Sequence, residues 1–189
     1  MVYHAAASGY RVWGNAYKVE EREMATLLYI FFLSKIYEFL DTFIMLLKGN
    51  LQQVSLLHVY HHVSMSLIWW MIINTAPGGD AYFSAALNSF VHVIMYSYYL
   101  LAAYLGKDSR RRDRYLWWGR YLTQFQMLQF LANFVQAAYC MLLFPKHYPY
   151  WLSKLLLQYM VSLLALFGSF YYAKHVAPAK KREVRPKRA

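Results

Sequence analysis

The sequence predicts an all-α, polytopic membrane helix bundle, and three observations predict it. Of 189 residues, 59% are hydrophobic and 20% aromatic while only 15% are charged, too little polar surface to cover a water-soluble domain of this length. Five apolar stretches are each long enough to cross ~30 Å of hydrocarbon at ~1.5 Å per residue. Turn formers separate them: Gly49-Asn50, Pro77-Gly78-Gly79-Asp80, Pro145 and Pro149. The same composition excludes a disordered chain, a collagen-like rod and a disulfide scaffold, since the one cysteine, Cys140, has no partner within the chain.

In order, the spans are expected at Leu27–Leu47, Val54–Thr75, Tyr82–Leu105, Tyr115–Phe144 and Tyr150–Ala173. The fourth is overlong, so Tyr115, Trp117 and Trp118 are expected in the headgroup zone, where Trp69, Trp70, Tyr148, Tyr150 and Trp151 form the belts of other helix ends. The chain thus divides into an arm (residues 1–26), a five-span bundle (27–173) and a basic tail (174–189). No cleavable signal peptide, internal repeat or low-complexity segment is legible. The net charge of +11 is placed topologically. Lys48, the cations of Lys107–Arg114 and those of the tail make 13 on one side, against Arg11, Lys18, Arg22 and Lys146 on the other. The positive-inside rule makes the tail cytosolic and the arm luminal. No basic-and-aromatic surface suited to nucleic acid appears.

Ionisable groups inside membrane helices cost about 2.5–3.5 kcal/mol or more each, yet here they cluster. The first span carries Lys35-x-x-Glu38-x-x-Asp41-Thr42, which one continuous helix would hold on about a third of its circumference. The second opens with His58-x-x-His61-His62, all within one arc of about 100°. Asn88, His92, Met95, Tyr96, Tyr98 and Tyr99 stripe the third, and Thr123, Gln126, Gln129, Asn133 and Gln136 the fourth. Asn133 and Gln136 are read as glue between helices and the tyrosines as packing. Counted from the cytosolic ends, these groups converge about 6–21 Å deep, which predicts a polar chamber open to the cytosol with a dry, apolar continuation. A lipid-tailed substrate with a polar head suits such a space. Neutral imidazoles in a dry site serve acyl transfer, with carboxylates to orient them and amides to hold an oxyanion. The same histidine spacing also suits iron or zinc.

In order and spacing, Lys35-Ile-Tyr-Glu38-Phe-Leu-Asp41-Thr42, His58-Val-Tyr-His61-His62, Asn88-Ser-Phe-Val-His92-Val-Ile-Met95-Tyr96-Ser-Tyr98-Tyr99 and Thr123-Gln-Phe-Gln126-Met-Leu-Gln129 resemble the motifs of the very-long-chain fatty-acid elongases. The likeness runs from about Ser8 to the tail. The wording from Gln53 to His62, with Asn88 to His92, is most similar to the polyunsaturated-fatty-acid branch. The resemblance implies a 3-oxoacyl-CoA synthase of the endoplasmic reticulum membrane, joining malonyl-CoA to an acyl-CoA with release of CO2 and CoA. It implies catalytic roles for His58, His61, His62 and His92, with Asn88, Glu38 and Asp41 in support. Substrate contacts are then expected from Lys48, Arg120, Thr123, Gln126, Gln129, Tyr96 and Tyr99, and from Lys35, whose depth equally suits a pairing with Glu38 or Asp41. No metal or cofactor is expected, and the implied partners are the bilayer and the reductase and dehydratase of the cycle; a homo-oligomer stays open. The resemblance also implies seven spans, six of them around an acyl tunnel, so the first two are expected to be missing before Met1. The competing readings are a di-iron desaturase or hydroxylase, which needs more histidine ligands than these four, a proton-coupled transporter, and a non-catalytic truncated subunit.

Overall fold

The computed structural model describes residues 1–49, 51, 54–106 and 108–176. Asn50, Gln53, Lys107 and the tail beyond Val176, all used above, lie outside the described residues. Among the described residues eight α-helices follow one another: α1 (Val2–Ala7), α2 (Arg22–Tyr37), α3 (Phe39–Leu47), α4 (Leu56–Thr75), α5 (Ala81–Leu105), α6 (Ser109–Tyr115), α7 (Gly119–Leu143) and α8 (Tyr150–Tyr171), the last running into a π-helical turn, Tyr172–Val176. The described residues contain no strand. The chain is an all-α, polytopic membrane bundle, as its composition predicts.

Local chemistry starts and stops these helices. Ser55 caps α4 by accepting from the His58 N–H at 3.2 Å, and Ala76-Pro77 ends it, because proline can neither continue the hydrogen-bond ladder nor tolerate a helical predecessor. Gly106, at φ +60, closes α5. Asp108 caps α6 through the Arg111 N–H. α7 gives out just before Pro145, and α8 starts just after Pro149.

Helices α4, α5 and α8 are long and apolar enough to cross a membrane by length and composition. The other two expected spans differ for separate reasons. α7 has 25 residues, but Gln124, Gln126, Gln129, Asn133 and Gln136 lower its hydropathy. The first span is not one helix: α2 ends at Tyr37 and α3 begins at Phe39, with Glu38 at the joint. There the Asp41 N–H reaches back only three residues to the Glu38 carbonyl, at 3.2 Å, a local tightening that re-aims the second half. The expectation that Lys35, Glu38, Asp41 and Thr42 share one face of a continuous helix is corrected accordingly. The fourth span also starts later than expected, at Gly119, and the Arg-rich segment before it is helical.

The core runs between the helices. Phe31 of α2 meets Trp69 of α4 edge-on at 4.5 Å, and Phe130 of α7 meets Phe167 of α8 at 4.9 Å. α7 and α8 pack along their length, and α2 packs against both α4 and α5. The outward faces are apolar too, with Leu67, Phe90, Val93, Leu128 and Leu142 exposed, as lipid-facing surfaces should be. Two ends result. The basic end carries Lys48 and α6. The arm end carries the Pro77–Asp80 turn, the Phe144–Pro149 loop and the arm, where Tyr10 donates to the Glu21 carboxylate; burial, and then that carboxylate, push the Tyr10 phenol above its usual range.

Leu163 on α8 is fully buried while Leu142 on α7 is 75% exposed. Leu163→Ala should lower the unfolding free energy by about 2–5 kcal/mol and Leu142→Ala by less than about 0.5 kcal/mol, read by thermal unfolding in detergent. Equal losses would contradict the inside and outside assigned to these two helices.

Candidate active site

The joint at Glu38 turns a carboxylate inward between α2, α4 and α5. Lys35, one turn earlier on α2 and 2% exposed, donates from Nζ to Glu38 Oε1 and, at 2.8 Å, to Asn88 Oδ1 on α5. The same Glu38 Oε1 lies 3.2 Å from His92 Nδ1 on α5, and Oε2 lies 3.6 Å from His62 Nδ1 on α4. Neither imidazole is aligned as a hydrogen bond: Glu38 Oε2 and both Nδ1 atoms are buried without a partner. An Nδ1–H turned onto the carboxylate would orient either imidazole. An imidazole oriented that way keeps its Nε2 lone pair free.

The other two histidines of α4 are placed differently. His58 Nε2 and Thr42 Oγ1 are 2.8 Å apart, which ties the first turn of α4 to α3. His58 and His62 rings stand 4.4 Å apart, and His61 stands edge-on to His62 at 5.1 Å. His61 faces the bundle interior, beside Phe167 of α8. It lies on the wall of a narrow cavity of about 60 Å³ between α4, α5, α7 and α8. Asn88 and Gln129, 4% and 5% exposed, share that wall. Among the described residues, no group of three or more His, Cys, Asp or Glu is arranged to ligate one metal ion.

The remaining expected residues fall into two sets. Tyr96 donates to Asp41 Oδ2 at 2.8 Å and stacks edge-on with Tyr99; Gln126 Nε2 donates to Met95 Sδ at 3.5 Å. Of these, Tyr96 lines a groove beside His92. Lys48 and Arg120 are exposed at the basic end, where Arg120 donates to the Tyr121 hydroxyl at 2.6 Å. Thr123 is half-buried on α7, outside the cavity wall. Lys35 is held inside the bundle by Glu38 and Asn88, the carboxylate pairing being the one its depth in the span suggests. A groove between α2 and α5, walled by Ser34, Ser89, His92 and Tyr96, reaches the Glu38 carboxylate from outside.

The dry continuation is corrected. Polar groups follow the cavity all the way to the arm end, and some pair between helices: Ser84 donates to Asn133 Oδ1 at 3.1 Å, and Gln136 Nε2 to the Asp80 carbonyl at 3.3 Å, while Gln136 Oε1 is buried without a partner. Asn133 and Gln136 are thus the interhelical glue their spacing suggests. Three contributors were not singled out from sequence. Tyr159 and Ser64 bond at 2.8 Å behind the histidine turn, and Ser64 Oγ also reaches the His61 carbonyl at 3.2 Å. Asp80 reads in sequence only as a turn residue; its signal is a carboxylate set among glycines at a span boundary.

Comparison with known proteins bears on this geometry. Residues 2–183 match the model of the ELO: GNS1/SUR4 family. The chain is 41% identical over 182 residues to human "Very long chain fatty acid elongase 5", covering 95% of this chain and 58% of that protein. It is 43% identical over 175 residues to "Fatty acid elongase 6" of Leishmania major, covering 90% of this chain and 46% of that one. The Xenopus tropicalis "Very long chain fatty acid elongase 5" is 42% identical over 166 residues, 85% of this chain and 54% of its own. The chain spans about half the length of the curated relatives it matches.

Glu38→Gln strands the Lys35 cation and should cost about 3–5 kcal/mol. Adding Lys35→Met should recover most of that loss, since an apolar replacement of both partners leaves no buried charge. A double-mutant cycle in detergent measures the coupling, and simple additivity of the two losses would refute it.

Proposed function

Because the chain belongs to the ELO: GNS1/SUR4 family, we propose that it carries the condensing site of a fatty-acid elongase, a membrane acyltransferase joining malonyl-CoA to a long-chain acyl-CoA. The observation that carries this reading is that His61, alone of the four histidines in the spans, lines the narrow interior cavity. An acyl tail threaded into that cavity sets its thioester carbonyl beside the His61 ring.

The chemistry follows from the neighbours. An unprotonated His61 nitrogen attacks the thioester carbonyl, the C–S bond breaks and CoA leaves, taking up a proton as the free thiol. Malonyl-CoA then loses CO2 from its carboxylate carbon, and the bonding pair remains as an enolate. That enolate carbon attacks the acyl-imidazole, the C–N bond breaks, the leaving imidazole nitrogen takes up a proton from solvent, and neutral His61 is regenerated with a 3-oxoacyl-CoA two carbons longer. Asn88 and Gln129 supply amide N–H groups toward the developing oxyanions. Glu38 orients His92 and His62, and His92 assists decarboxylation.

On this basis the basic end faces the cytosol, where Lys48 and Arg120 meet the CoA phosphates, and the bundle sits in the endoplasmic reticulum membrane with its C-terminus cytosolic. No metal or cofactor takes part; the product passes to a reductase and a dehydratase. A polyunsaturated acyl chain is favoured by the wording from Gln53 to His62 and from Asn88 to His92.

Membranes expressing this chain should move label from malonyl-CoA into a 3-oxoacyl product, and His61→Ala should reduce the rate by about 10³-fold or more. Polyunsaturated acyl-CoAs should outcompete saturated ones of equal length. No label from the chain, nor from the chain joined to the upstream segment of a relative, would sink the reading.

A further inference from the structure

The end of the cavity far from the histidines is closed by a segment outside the bundle. Residues Tyr10–Lys18, between α1 and α2, lie across it. Asp80, 5% exposed, accepts from the Gly14 N–H at 3.1 Å, the Asn15 N–H at 2.8 Å and Asn15 Nδ2 at 3.0 Å. It also accepts from Cys140 Sγ on α7 at 2.8 Å. The Asn15 side chain closes a turn on itself by accepting from the Arg11 N–H and donating to the Arg11 carbonyl, both at 2.8 Å. Beneath it, Gly79 has φ +53, and a Cβ there would stand 2.8 Å from the Tyr17 nitrogen and 2.9 Å from the Asn15 oxygen. The arm backbone therefore rests directly on the turn. Tyr17 N–H donates to the His147 carbonyl at 2.9 Å, and the Tyr148 hydroxyl to the Ala76 carbonyl at 2.9 Å. Asp80, Cys140 and Tyr148 belong at once to this clasp and to the cavity wall.

We propose that the clasp is the end wall of the acyl cavity, with Asn15 and Asp80 as the positioning residues that fix the longest acyl chain accepted. The inference rests on the acyl-CoA reading above. From His61 to Ile72, both on the wall, α4 rises about 16 Å. A tail that reaches the wall either stops there or strips the arm from a buried carboxylate, and leaving that carboxylate unpaired is costly.

Cys140 is the chain's one cysteine, so thiol labelling reads the wall without any need for turnover. In detergent-solubilised full chain, a charged maleimide should label the parent slowly, and Asn15→Ala or Gly79→Ala about tenfold faster or more. In membranes, the same variants should extend acyl-CoAs at least two carbons longer than the parent accepts. Unchanged labelling in both variants overturns the proposal, and so does faster labelling with the parent's length ceiling retained. If no form turns over, protection decides. In the opened variants, acyl-CoAs long enough to reach the wall should shield Cys140 and short ones should not, and equal shielding at every length overturns it. Length-dependent shielding without turnover keeps the wall and counts against the condensing reading alone.

Discussion

The Lys35–Glu38 pair is where the energetics of the bundle concentrate. Each charge alone would cost several kcal/mol in hydrocarbon, and together they form a neutral unit that still asks for further partners. Asn88 and His92 come from α5 and His62 from α4, so satisfying one buried pair draws three helices to one point. The joint between α2 and α3 belongs to the same arrangement, because it turns Glu38 inward. With His62 set against Glu38, its neighbour His61, about 100° round the helix, is left facing the interior cavity. The position of one imidazole on the cavity wall thus traces back to a carboxylate two helices away.

That logic explains what the sequence does and does not disclose. The class of fold and the helices α4, α5 and α8 are legible because long apolar runs end at Pro77, Gly106 and Pro149, residues whose backbone limits are independent of context. The joint at Glu38 is not legible: Ile36-Tyr37-Glu38-Phe39-Leu40 contains no proline or glycine, and the bend comes from tertiary partners. Helix α6 is hidden because Arg110–Arg112 and Arg114 look like a solvated loop, and only the Asp108 cap hints otherwise. Convergence of the histidines is legible from spacing alone. Which one meets the cavity is not, since His58, His61 and His62 share an arc, and packing against α3 and α8 decides between them.

The cavity has two unlike walls. α4 and α8 contribute Ile68, Trp69, Met160 and Leu163, while α5 and α7 contribute Ser84, Asn88, Gln129 and Asn133. Apolar side chains adjust their rotamers to a guest, but a hydroxyl–amide bond between helices sets a distance. The Ser84–Asn133 bond fixes the spacing of α5 and α7, so one wall is a stiff frame and the other a compliant lining. On the compliant side, Tyr159 of α8 bonds to Ser64 and so anchors the histidine turn of α4.

The division of the first span also bears on how the protein is made. Neither α2 nor α3 is long enough to cross the hydrocarbon alone, and the pair of them carries Lys35, Glu38 and Asp41. Lys35 and Glu38 neutralise one another within a single turn, but Asn88 lies 53 residues further along the chain. At about 5–20 residues per second, a ribosome needs on the order of 3–10 s to deliver it. For that interval the bent first span carries the Lys35–Glu38 pair without its Asn88 partner. The contacts around this one buried carboxylate therefore close only once α2, α4 and α5 have all been made.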